Sequence, residues 1–141
     1  MKAKTTAFIA FFTGLLIVMF ACESQDSLEF KRYYVNGKLI YQQRCQNCHG
    51  ANGEGLSNLM PPLTDVAFLK KNKQQLPCFV NLGLKGKLLV VNGKTFSNNM
   101  PANDIAPVDI AEVLTYVTNS FGNKMGVVTA EQVTAQLKAC K

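Results

Sequence analysis

The chain has no tryptophan, a single histidine (His49) and only 9 acidic residues against 15 basic ones. One histidine excludes centres built from several imidazoles and leaves no second ring to act as an acid–base partner. The lysines are scattered rather than gathered on one helix, so the net charge of +6 does not indicate a nucleic-acid face. Apolar runs are short as well. The most prominent, 7–21, is broken only by Thr13 and Gly14 but falls below the ~20 residues of a spanning helix. There is no internal repeat and no low-complexity tract, and 141 residues suffice for one domain plus its ends.

That apolar run follows Lys2 and Lys4, the arrangement of an export leader. It ends Met19-Phe20-Ala21-Cys22, which resembles the lipobox of bacterial lipoproteins, where a small residue precedes a cysteine that becomes the acylated first residue. The expectation is a signal peptide over 1–21 and lipidation at Cys22. The alternative is an uncleaved N-terminal anchor, and either one tethers the domain to the membrane outside the cytoplasm, facing the periplasm of a bacterial cell envelope. Removing 1–21 takes away two lysines and leaves a mildly basic domain suited to transient docking on an acidic protein patch.

The most informative stretch is Cys45-Gln46-Asn47-Cys48-His49. Two cysteines three residues apart lie near one helix face, where both thiols can add to the vinyl groups of one haem while the next residue offers an imidazole to its iron. A thiol–disulfide redox pair has no need of that histidine. A zinc site needs four ligands, and this chain has no second CxxC to complete one. The single CxxCH also excludes a two-haem peroxidase. With Cys22 assigned to lipid and Cys45 and Cys48 to haem, Cys78 and Cys140 remain as one candidate disulfide in an oxidising compartment, or as two unpaired thiols.

Local signals divide the rest into an all-α pattern with a minor hairpin. Residues 22–35 read as a lipid-anchored linker without a fixed fold, and Asn36 as the N-cap of a first helix over 36–49 that Gly50 ends. Two glycines and two prolines make 50–63 an irregular loop. Asp65 caps a short helix over 66–71, and Pro77 opens another that ends at Gly83. Asn92-Gly93 between Leu88-Leu89-Val90-Val91 and Lys94-Thr95-Phe96 predicts a two-residue hairpin turn. Pro107 opens a long helix to about Ser120, with Ile110, Val113, Leu114 and Val117 on one face. Thr129 and Gln132 form a capping box for a last helix to about Cys140. The divisions expected are a domain over 36–123 and a helical extension over 124–141.

Residues 36 to 121 resemble the single-haem, His/Met-ligated cytochrome c family of bacteria. Gly37 and Tyr41 stand eight and four residues before the first haem cysteine. Pro61 and Leu63 follow the histidine at the family spacing, and Val113 and Tyr116 sit in the final helix. Met100-Pro101 matches the Met-Pro pair that supplies the sixth ligand in many members. The resemblance implies N- and C-terminal helices crossing over one covalent haem c held by Cys45 and Cys48. His49 and Met100 are then the axial ligands, and the Pro61 carbonyl holds the histidine. Two features depart from the family: there is no tryptophan to reach a haem propionate, and 124–141 lies beyond the usual domain.

Met60, also followed by a proline and 11 residues from His49, is the rival ligand. An extended segment of that length reaches roughly 35 Å, so distance does not exclude it. Its place just after the attachment helix assigns it to the histidine side, and a thioether on the opposite face raises the potential as an electron carrier requires. The function implied is electron transfer between redox protein partners in the cell envelope, with no small-molecule substrate and no enzymatic turnover. The alternative is an open sixth site in a small-ligand sensor or in an accessory subunit of a larger oxidoreductase.

Overall fold

The computed structural model describes residues 25–140, so the leader over 1–21 and the lipidation expected at Cys22 lie outside the described residues. The order is α1 (Gln25–Arg44), α2 (Gln46–His49), α3 (Val66–Lys71), α4 (Leu76–Leu82), β1 (Leu89–Val91), β2 (Lys94–Phe96), α5 (Pro107–Val117) and α6 (Ala130–Leu137). The strands pair antiparallel around Asn92-Gly93, with Val91 opposite Lys94 and Leu89 opposite Phe96. The predicted hairpin therefore forms a true two-stranded sheet. Among the described residues no helix is long and apolar enough to cross a membrane.

The first helix corrects the sequence reading. It does not start at Asn36: residues 25–35 are already helical and not a linker. Tyr33, Gly37 and Tyr41 recur every four residues, which places them on one face, and all three are buried. Asn36 caps nothing. It lies within the helix, and its side-chain amide donates to the Glu112 carboxylate at 2.9 Å. The helix also breaks at Cys45, and α2 restarts as a single turn ending at Gly50.

α1 packs across α5 at Gly37. A Cβ there would meet the backbone carbonyl of Glu112 and stand 3.0 Å from the Tyr116 Cβ, so the two backbones touch only because the position has no side chain. Around this contact Tyr41 and Tyr116 pack at 5.3 Å between ring centroids, and Phe121 meets both at 5.4 and 5.6 Å. Every residue of α5 from Ile110 to Val117 is buried. Three neighbours account for that: α1 on one side, α4 on another, and the C-terminal segment on a third, while Val113, Leu114 and Val117 also line a cavity.

The C-terminal segment belongs to the core. Thr115 Oγ1 donates to the Val128 carbonyl at 3.3 Å and accepts the Val128 N–H at 3.0 Å, while Val133 is fully buried. The expected capping box is present, with Thr129 and Gln132 exchanging hydrogen bonds of 3.2 and 3.3 Å. Cys78 of α4 and Cys140, just past α6, are joined as a disulfide with Cα atoms 5.5 Å apart.

Candidate functional site

His49 closes the one-turn α2, with its ring buried. Its Nδ1 faces the Pro61 carbonyl at 3.0 Å. With the proton on Nδ1 donated to that carbonyl, Nε2 keeps its lone pair for a metal. Burial lowers the pKa of the ring, outweighing the opposite effect of the Pro61 hydrogen bond, so the imidazole stays in the neutral form that ligation needs.

The carbonyl reaches the ring because the loop over 50–63 folds back beneath it. Gly55 N–H donates to the His49 carbonyl at 2.8 Å, Leu63 N–H donates to Gly53 at 2.7 Å, and Leu56 and Met60 exchange hydrogen bonds of 3.0 and 3.2 Å. Gly55, at φ +74°, sits so close to the Met60–Pro62 backbone that a side chain there would overlap it. Tyr41 fixes the entry to the same loop by donating its hydroxyl to the Gly50 carbonyl at 2.6 Å. Asn123 fixes the exit, its amide donating to Leu63 and Val117 carbonyls at 2.8 and 3.0 Å.

Met100 is held by a second clasp of the same design. Its N–H donates to the Leu84 carbonyl, and Leu84 N–H donates back, both at 2.9 Å. Asn103 N–H donates to Val80 of α4 at 3.0 Å, so the loop after Met100 is tied to α4 as well. Gly83, at φ +69°, lies against the Met100 carbonyl and leaves no room for a Cβ. Each Met-Pro pair is therefore seated on a Gly-Leu pair.

His49 and Met100 line one hollow. Its larger lobe is walled almost wholly by aliphatic and aromatic side chains, among them Phe68, Phe79 and Val113. The smaller lobe leads toward Asn98, Asn99 and Pro101. The lobes share His49, Pro61, Leu84, Leu89 and Met100. Cys45 borders the larger and Cys48 the smaller, whereas Met60 reaches only the smaller. An apolar hollow bordered by two thiols, a neutral imidazole with one free nitrogen and a thioether fits a covalently attached haem.

The alternative chemistries are poorly served. Burial pushes the Cys45 thiol up to about 11, opposite to the lowered pKa of a reactive CxxC cysteine. Among the described residues no group of three or more His, Cys, Asp or Glu side chains is placed to hold a metal ion.

The structure brings Cys45, Cys48, His49, Pro61 and Met100 to the lining of the hollow and joins Cys78 to Cys140. Sequence reasoning missed the hydrogen bonds of Tyr41 and Asn123. The first was legible in principle, since Tyr41 precedes Cys45 by one helical turn; the second joins residues 60 apart and carries no local signal. The cytochrome c family model matches residues 34–120. A comparison with curated proteins returns no match for the chain.

Proposed function

The chain belongs to the cytochrome c family, and from that premise we propose that it carries one covalent haem c with His49 and Met100 as axial ligands and passes single electrons between redox proteins of the cell envelope. Haem iron supplies a one-electron couple when bound. The protein's own residues hold that couple in place, exclude water and set its potential.

The observation that carries the reading is that His49 and Met100 line the same apolar hollow, each fixed by backbone hydrogen bonds. A ligand pair held in this way needs little rearrangement when the iron changes charge. A soft thioether favours the ferrous state, and the aliphatic wall penalises the extra positive charge of the ferric state, so both raise the potential. Attachment through Cys45 and Cys48 keeps the haem on a domain that Cys22, lipidated once the export leader is removed, tethers to the periplasmic side of a membrane.

The test is a pair of substitutions read by absorbance and potentiometry. Met100→Ala should abolish the weak red absorption band of methionine-ligated ferric haem and lower the potential, and Met60→Ala should leave the band in place. Loss of the band only in Met60→Ala would transfer the ligand role to Met60. Colourless mature protein from a host competent in haem attachment would refute the haem itself.

A further inference from the structure

The outward face of α1 is unusual for a solvated helix. Leu28, Val35 and Leu39 are 47, 58 and 53% exposed, and at helical spacing all three fall on one line opposite the buried Tyr33, Gly37 and Tyr41. By helical position Arg32 flanks that line on one side, its guanidinium over the Tyr33 ring at 5.4 Å from the centroid, and Lys31 and Lys38 flank it on the other. The acidic residues of the helix, Asp26 and Glu29, point away from it. The stripe runs about 16 Å along the axis. Scattered exposed leucines need no explanation, but three apolar residues on one helical line, edged by cations and free of acids, form a face that can enter a lipid interface.

The position of the helix selects its occupant. Gln25 stands three residues after Cys22, the lipidation site expected from the sequence, and three residues span at most about 10 Å. A tether that short keeps the start of α1 beside the headgroups. From there the apolar line can enter the headgroup–acyl boundary while Lys38 meets anionic phosphates. None of the outward residues borders the hollow of His49 and Met100.

We infer that α1 is an interfacial helix: its Leu28, Val35 and Leu39 stripe seats the domain on an anionic lipid surface and gives the tethered protein one fixed orientation. This rests on the tether proposed above. An untethered or freely swinging domain would have no use for a lipid-facing stripe at the root of its first helix.

The experiment uses the full chain in vesicles of phosphatidylglycerol and phosphatidylethanolamine. Gln42→Cys, on the outward face beyond the stripe, and Lys94→Cys, on the hairpin, each carry a nitroxide whose collisions with oxygen and with a water-soluble nickel chelate are compared. The parent chain shows that no other thiol takes the label. The label at 42 should favour oxygen several-fold more than the label at 94. Replacing Val35 and Leu39 by serine should return it to the water-like value without changing flotation or the thermal midpoint.

Flotation with a water-like label at 42 would overturn the seating and leave the tether standing. A label shielded from both reagents and released on dilution would replace the lipid by a second copy of the chain. Failure to float would remove the tether and the inference together, while haem absorbance would report separately on the redox reading.

Discussion

Gly37→Ala is the sharpest test of the packing. By helix propensity alone the change should stabilise a helix interior by about 1 kcal/mol. In the folded protein the new methyl would overlap the Glu112 carbonyl and press on the Tyr116 Cβ. Non-bonded carbons normally stand about 3.5–4.0 Å apart, and the obstacle is backbone, so no rotamer change relieves it. α1 and α5 must part. The cost is the upper end of overpacking, about 3 kcal/mol. Lengthening the Asn36–Glu112 hydrogen bond adds about 1 kcal/mol, and the tyrosine contact at 5.3 Å between centroids weakens too.

Net of the propensity gain, the variant should lose roughly 3 kcal/mol. With a urea slope of about 2 kcal/mol per M, the midpoint of unfolding should fall by about 1.5 M. Because α5 also lines the hollow through Val113 and Val117, the same shift should weaken the red band in the folded variant. A midpoint equal to or above that of the parent would mean that the two backbones are not in contact at Gly37, and the account of the helix crossing would fail.

Thiol counting on folded, oxidised protein should find no free thiol from Cys78 or Cys140 and two after reduction. Cys78→Ser with Cys140→Ser should lower stability by up to about 4 kcal/mol, the chain-entropy value for a closed loop of this length, measured by denaturant titration. Tyr41→Phe removes the hydroxyl that the Gly50 carbonyl accepts and should cost about 1 kcal/mol with the haem spectrum retained. Asp65 accepts N–H groups from Phe68 and Asn92, which hold its carboxyl below the usual range. Its ionised form therefore adds stability above the ordinary carboxylate pKa that is lost as pH falls through the lowered one. The deficit of Asp65→Asn should be visible at neutral pH and close in acid, with faster Asn92 amide exchange as the local readout.

The chemistry of the site was written in short stretches of sequence because it depends on short distances. CxxCH sets two thiols and an imidazole within about one helical turn, Asp65 caps a helix three residues away, and Asn92-Gly93 carries the positive φ angles of a two-residue hairpin turn. The start of α1 was not legible. Residues 25–35 lack a strong apolar period, and Asn36 looks like a cap when nothing else competes for its side chain. In the fold Glu112 competes for it. Burial of Tyr33 and the 2.9 Å hydrogen bond between Tyr34 and Ser120 draw the upstream residues into the helix. The seating of 124–140 on α5 and the tie from Asn123 to Leu63 were likewise invisible, since both join positions far apart in the chain. The sequence by itself determined which ligands this protein offers and which turns it makes, through interactions spanning a few residues. Only the tertiary structure decided that residues 25–35 are helical and that His49 and Met100 face one hollow, because burial and long-range hydrogen bonds outweigh local propensities of a few tenths of a kcal/mol per residue.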